Sequence, residues 1–110
     1  MNQEEFEGLV KELIARLDAS FTDLQKANDQ GKIAINRISN QEIQIKVTKT
    51  GTYRIYAESN YVYLQSPLSG LYNYRWDAAN QQWKSETQVH ILEDLLMREF
   101  ITFTKGTLQF

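Results

Sequence analysis

Apolar residues recur along the front of the chain at spacings of three and four: Phe6, Leu9, Val10, Leu13, Ile14, Leu17, Phe21 and Leu24. At about 100° per residue they fall on one side of a helix, and the spacing predicts one from about Glu4 to Ala27. Asn28-Asp29-Gln30-Gly31 ends it, glycine being free to take the left-handed conformation of a cap. After Gly31 the period changes to two. Ile33, Ile35 and Ile38 suggest a first strand, its alternation broken near Asn36-Arg37 by a bulge or strand end. Glu42-Ile43-Gln44-Ile45-Lys46-Val47-Thr48 alternates cleanly, and Thr50-Gly51 turns it back into Tyr53-Arg54-Ile55-Tyr56. Glu58-Ser59-Asn60 turns again into Tyr61-Val62-Tyr63-Leu64-Gln65, with Val62 and Leu64 on one face.

Ser66-Pro67-Leu68-Ser69-Gly70 holds the only proline, with a glycine three residues on, and reads as a turn with fixed φ at one end and freedom for positive φ at the other. Tyr72, Tyr74 and Trp76 then alternate against Leu71, Asn73 and Arg75, and Trp83 marks one more strand. A second helix is expected from about Gln88 to Ile101, capped by Thr87. Val89, Leu92, Leu95, Leu96, Phe100 and Phe103 form its buried face, and Glu93, Asp94 and Arg98 its wet one. Short turns at this frequency imply an antiparallel meander. The expected fold is α+β: a two-layer sandwich of two helices on one antiparallel sheet of about six strands, in the order α-β-β-β-β-β-β-α, with residues 1–110 forming a single domain.

Charge sharpens this picture. The formal charge of −2 divides into −4 over residues 1–30 and +2 over the remainder. An acidic front end disfavours nucleic acid and favours a cation or a cationic partner. On the first helix Glu5, Glu12 and Asp23 share one strip beside the apolar face, with Glu4 and Asp18 further round. Two readings stand for these acids: the ordinary solvated face of an amphipathic helix, which Lys11, Arg16 and Lys26 also share, or a cation-binding ridge. With no cysteine and a single histidine, thiolate metal sites, cysteine nucleophiles and multi-histidine centres are excluded. Ser66 and Ser69 read as turn residues, since no His/Asp arrangement is available to activate them. His90 reads as a surface residue and Trp76 and Trp83 as sheet core, whereas the six tyrosines reflect strand propensity with a binding face open to the exposed members. No apolar run is long enough to span a membrane, and the first residues lack the basic character of a presequence.

The central stretch resembles the frataxin family. It runs Tyr63-Leu64, Ser66, Pro67, Ser69, Gly70, Tyr74, Trp76 and, past a polar turn, Trp83, and this order and spacing are similar to the family's central sheet. The likeness extends to both helices. Phe6, Leu9, Leu17 and Phe21 stand where the family has core residues, and Glu7, Glu12 and Asp23 where it has acids. Leu92-Glu93-Asp94-Leu95-Leu96 resembles the family's Leu-His-Glu-Leu-Leu.

The resemblance implies weak iron binding through Glu5, Glu7, Glu12, Asp18 and Asp23, since hard or borderline cations prefer carboxylate oxygen and an open row exchanges them readily. It also implies docking on the cysteine desulfurase and scaffold of iron–sulfur cluster assembly through a sheet face bearing Glu58, Tyr63, Gln65 and Asn73. The implied role is a regulator or iron donor, with at most a family-type ferroxidase activity. The implied compartment is the mitochondrial matrix for a eukaryotic source, with a presequence absent from this chain, or the cytoplasm for a bacterial one. The chain departs from the family pattern at Lys11, Ala15, Ala19 and Thr22, where acids are common. On the sheet, Tyr63 stands for an exposed tryptophan and Asn73 for an arginine, and Tyr56 and Glu58 lie near the positions of an asparagine and a glutamine. Two alternatives remain: a metal-free binding module or structural subunit on the same fold, and a small acidic secretion chaperone.

Overall fold

The computed structural model describes residues 1–28, 31–87, 90–102, 108 and 110. Helix α1 spans Gln3–Lys26. Asn2 starts it: the Glu5 amide donates to Asn2 Oδ1 at 2.7 Å, satisfying one of the orphan donors of the first turn. Its end differs from the expected glycine cap. Ala27 is the C-cap, in right-handed conformation, and the Asn28 side-chain amide donates to the Leu24 carbonyl at 2.7 Å. Gly31 has φ +85°, but it serves the entry to the first strand, where Thr48 Oγ1 donates to its carbonyl. The expected turn residues Asp29 and Gln30 lie outside the described residues.

Six strands follow: β1 (Ile33–Ser39), β2 (Glu42–Val47), β3 (Gly51–Glu58), β4 (Tyr61–Ser66), β5 (Gly70–Asp77) and β6 (Gln82–Ser85). They form one antiparallel meander in sequence order, as the short turns predict. The β1–β2 register shifts between Arg37 and Ser39. Ile38 sits at this irregularity, and at five residues from Ile33 it has the opposite strand parity, so it does not join Ile33 on the inner face; it is 51% exposed.

Helix α2 spans Leu92–Phe100, starting later than the apolar spacing suggests. The cause is a competing backbone pairing. The Ser85 amide donates to the His90 carbonyl, and Ile91 bridges Lys84, so Ile91 is held in extended conformation and is the N-cap. Ile91 rather than Thr87 is thus the N-cap of α2; the Thr87 amide donates to Ser85 Oγ. Val89 and Phe103, expected on the helix's buried face, lie outside the described residues.

Both helices cover one side of the sheet. Phe6 of α1 meets Trp83 of β6 edge-on at 5.9 Å, and Phe21 meets Phe100 of α2 at 4.8 Å. Between the layers lie Ile43, Ile45, Tyr53, Ile55, Val62, Leu64, Tyr74 and Trp83, all fully buried. Burying this apolar surface, at about 25 cal/mol per Å², is the main favourable term in holding helices to sheet.

Candidate functional site

Strand residues that do not face the helices face open surface, and the register puts them in rows. Glu42 lies opposite Tyr56, Tyr56 opposite Tyr63, and Tyr63 opposite Asn73. The next row runs Gln44, Arg54, Gln65, Leu71, and Glu58 pairs with Tyr61. All four residues expected on a docking face, Glu58, Tyr63, Gln65 and Asn73, thus share one side of the sheet. Tyr63 is half-buried and stacks on Tyr56 with ring centroids 5.3 Å apart and planes at 16°, while Tyr61 lies 6.3 Å from Tyr63.

Arginine side chains hold this tyrosine cluster on both flanks. Arg54 donates to Glu42 at 2.8 and 3.3 Å and places its guanidinium 3.9 Å over the Tyr56 ring. The Arg54 hydrogen bond holds the Glu42 carboxyl below the usual carboxylate range. Across the cluster, Arg75 pairs with Glu86 at 2.9 Å and donates to the Tyr61 hydroxyl at 3.2 Å. Sequence reading missed both clamps, since Glu42 and Glu86 come next to the cluster only through strand register and the β6 return.

The five acids proposed for iron divide into two groups. Rotation about the axis sets Glu5, Glu12 and Asp23 on one flank of α1's apolar stripe and Glu7 and Asp18 on the other. Within the first group, rise per residue separates Glu5 from Glu12 by about 10 Å and Glu12 from Asp23 by about 16 Å. Glu7 accepts from Gln3 Nε2, and Asp18 lies 3.6 Å from Arg37 of β1. Among the described residues no three acidic or histidine side chains gather into a metal cage. The five carboxylates stand apart from one another on the outside of the helix.

Two further carboxylates have surroundings that the sequence does not announce. Glu99 of α2 accepts from the hydroxyls of Tyr53 and Ser66 at 2.7 Å and from Ser69 Oγ, tying the helix to the Ser-Pro-Leu-Ser-Gly turn. Burial, and then this bond, push the Tyr53 hydroxyl's pKa well up. Glu93, expected on the wet face, is only 16% exposed in its side chain. Desolvation raises its carboxyl's pKa, and Oε1 has no hydrogen-bond partner among the described residues. His90 is half-buried and lies 2.8 Å from the Tyr74 hydroxyl through Nε2; burial, then Arg98, lowers its pKa.

This arrangement is similar to known folds over almost its full length. Frataxin from Psychromonas ingrahamii superposes with a TM-score of 0.80 at 14% identity, covering 99% of this chain and 97% of that one. Trimeric frataxin from the yeast Saccharomyces cerevisiae, complexed with ferrous iron, gives 0.74 at 24% identity, covering 89% and 87%. The trimeric yeast protein with full-length N-terminus gives 0.66 at 28% identity, covering 83% and 74%. No protein of curated function matches the chain. The frataxin-like domain model matches residues 1–106, and the chain belongs to the frataxin family.

Proposed function

We propose that this protein is a non-enzymatic regulator or iron donor of iron–sulfur cluster assembly, which binds iron weakly through surface carboxylates and docks a cysteine desulfurase and its scaffold. The observation that carries this reading is the frataxin-like domain over residues 1–106. Glu5, Glu7, Glu12, Asp18 and Asp23 supply the iron ligands, one or two at a time, from two flanks of α1. That division supports weak, exchangeable binding, because separated carboxylates leave most of the ion's coordination to water. The docking face is the open side of the sheet, with Tyr63 as the aromatic anchor and Glu58, Gln65 and Asn73 as polar neighbours. The protein works in the mitochondrial matrix or in the bacterial cytoplasm.

Anaerobic titration with ferrous iron, followed by amide resonances, tests the first half. Broadening confined to Glu5–Asp23 and β1 is expected. No site-selective change at millimolar iron leaves a second reading, a metal-free module that acts through the sheet face alone, and this reading is favoured by the separation of the acids. A desulfurase assay with Tyr63→Ala tests the docking half, with loss of the protein's effect as the expected result.

A further inference from the structure

A cleft of about 430 Å³ lies where α1, α2 and the β5–β6 hairpin meet, lined by Leu9, Glu12, Arg16, Trp76, Gln81 and Glu93, with Phe110 beside them. It is on the helix side of the molecule, away from the docking face. Its size is in the range of small-molecule sites, which combine apolar walls with a few placed polar groups. Trp76 and Leu9 are both half-buried against the core, and Trp76 is held edge-on to Trp83 at 5.2 Å, which fixes the indole.

The polar groups are unbalanced. Arg16 lies 3.5 Å from Glu93 Oε2, too far for a strong charged hydrogen bond, and its own side chain is 41% exposed. Glu93 Oε1 is buried without any donor among the described residues. A buried acceptor in that state has lost its hydration without compensation until something donates to it. Glu12 adds a second negative charge, so the lining carries two carboxylates against one arginine. An anion is therefore disfavoured. A hard metal ion lacks a third acidic ligand here. An organic cation with a flat, weakly hydrated head satisfies both the carboxylate and the indole, since guanidinium donates in a fork and also stacks on aromatic faces.

We propose that this cleft is a binding site for an alkylguanidinium group, whose head donates to Glu93 Oε1 and Glu12 and whose stem lies on Trp76 and Leu9. Arg16 is the internal competitor: it holds the other Glu93 oxygen in the empty state and swings to solvent when the ligand enters. Such chemistry is carried by free agmatine or by an exposed arginine side chain of a peptide.

The test is titration of the whole chain, in metal-free buffer, with agmatine, with acetyl-Gly-Arg-Gly-amide, and with n-butylurea as the uncharged isostere. Amide shifts and tryptophan fluorescence report binding. Agmatine or the arginine peptide is expected to perturb Leu9, Arg16, Trp76 and Glu93 with dissociation in about the millimolar range, and the tighter of the two identifies the source. Glu93→Gln, which removes a buried charge and so does not endanger folding, is expected to weaken binding about tenfold. Arg16→Ala is expected to tighten it a few-fold. The proposal is overturned if neither cation perturbs these residues at about 20 mM, if butylurea perturbs them equally, or if Glu93→Gln binds like the parent. Because the buffer holds no iron, failure here leaves the iron and docking readings untouched, and their failure leaves this one.

Discussion

The two faces of the sheet are built from the same six strands by alternate residues, yet they obey different rules. Inward, Ile55, Leu64, Tyr74 and Trp83 are sealed under the helices. Outward, Arg54, Tyr56, Tyr63 and Arg75 remain in reach of water, and each arginine is held by a carboxylate from a neighbouring segment. Removal from water makes the inner face the source of stability. The outer face contributes little to folding because surface ion pairs gain little over hydration, and this leaves it free to carry recognition. Substitutions should therefore separate: inward ones should unfold the protein, and outward ones should change binding with the fold intact.

The largest effect is expected at Trp83. Trp83→Ala empties the space between Phe6 and Trp76 and should cost about 3–5 kcal/mol in urea unfolding; a loss below about 1 kcal/mol would show that the inner face is not a close-packed layer. Next is Glu99→Ala, which leaves the fully buried Tyr53 ring with a hydroxyl that has lost its acceptor, and frees Ser66 and Ser69 together. About 1–3 kcal/mol is expected, and Glu99→Gln should recover part of it by accepting through the amide oxygen. Outward, Tyr63→Ala loses one stacked cross-strand pair, about 0.5–1 kcal/mol. The desulfurase effect should vanish all the same. Equal damage to stability from Tyr63→Ala and Trp83→Ala would dissolve the distinction between the faces.

The division between faces was legible in the sequence because a strand's period of two writes it there. Val62 and Leu64 against Tyr61, Tyr63 and Gln65 predicted the observed burial, and Glu58, Tyr63, Gln65 and Asn73 fell on one side as expected. What was not legible depends on contacts distant in sequence. The start of α2 was missed because the pairing of Ser85 with His90 and of Lys84 with Ile91 outcompetes a helix that local spacing allows. Glu93 looked wet from its helix alone, whereas Arg16 of α1 and Trp76 of β5 share the cleft it lines. The angular placement of the acids on α1 was legible, since Glu5, Glu12 and Asp23 share one flank as the spacing predicts; their neighbours from other elements were not. Asp18 lies near Arg37 of β1, Glu7 stays with Gln3 of its own helix, and Glu12 lines the cleft.

The smallest effects are pH slopes, and they sharpen the comparison because on the helix side an imidazole and a carboxyl, His90 and Glu93, are shifted in opposite directions. His90, packed on Tyr72 and Tyr74 and facing Arg98 and Asp94, has its pKa lowered chiefly by burial. The unfolded chain then binds more protons than the native one just below the ordinary imidazole value of about 6.5, so stability falls as pH drops through that region. Glu93 has its pKa raised by burial. There the native state binds the extra proton, so its contribution is fully present below the ordinary carboxyl range and is lost as pH rises through the raised value. His90→Gln should therefore flatten the acid side of the stability profile between about pH 7 and 5, and Glu93→Gln should lift the neutral side relative to the parent. The outer carboxylate Glu42, with its lowered pKa, acts only at lower pH: its contribution is present above the ordinary carboxyl range and lost as pH falls below it. If urea midpoints measured from about pH 5 to 8 keep the parent's slope in each of the two single variants, the titrating contribution lies elsewhere than on the helix side, and burial on that side does not govern the protein's response to acid.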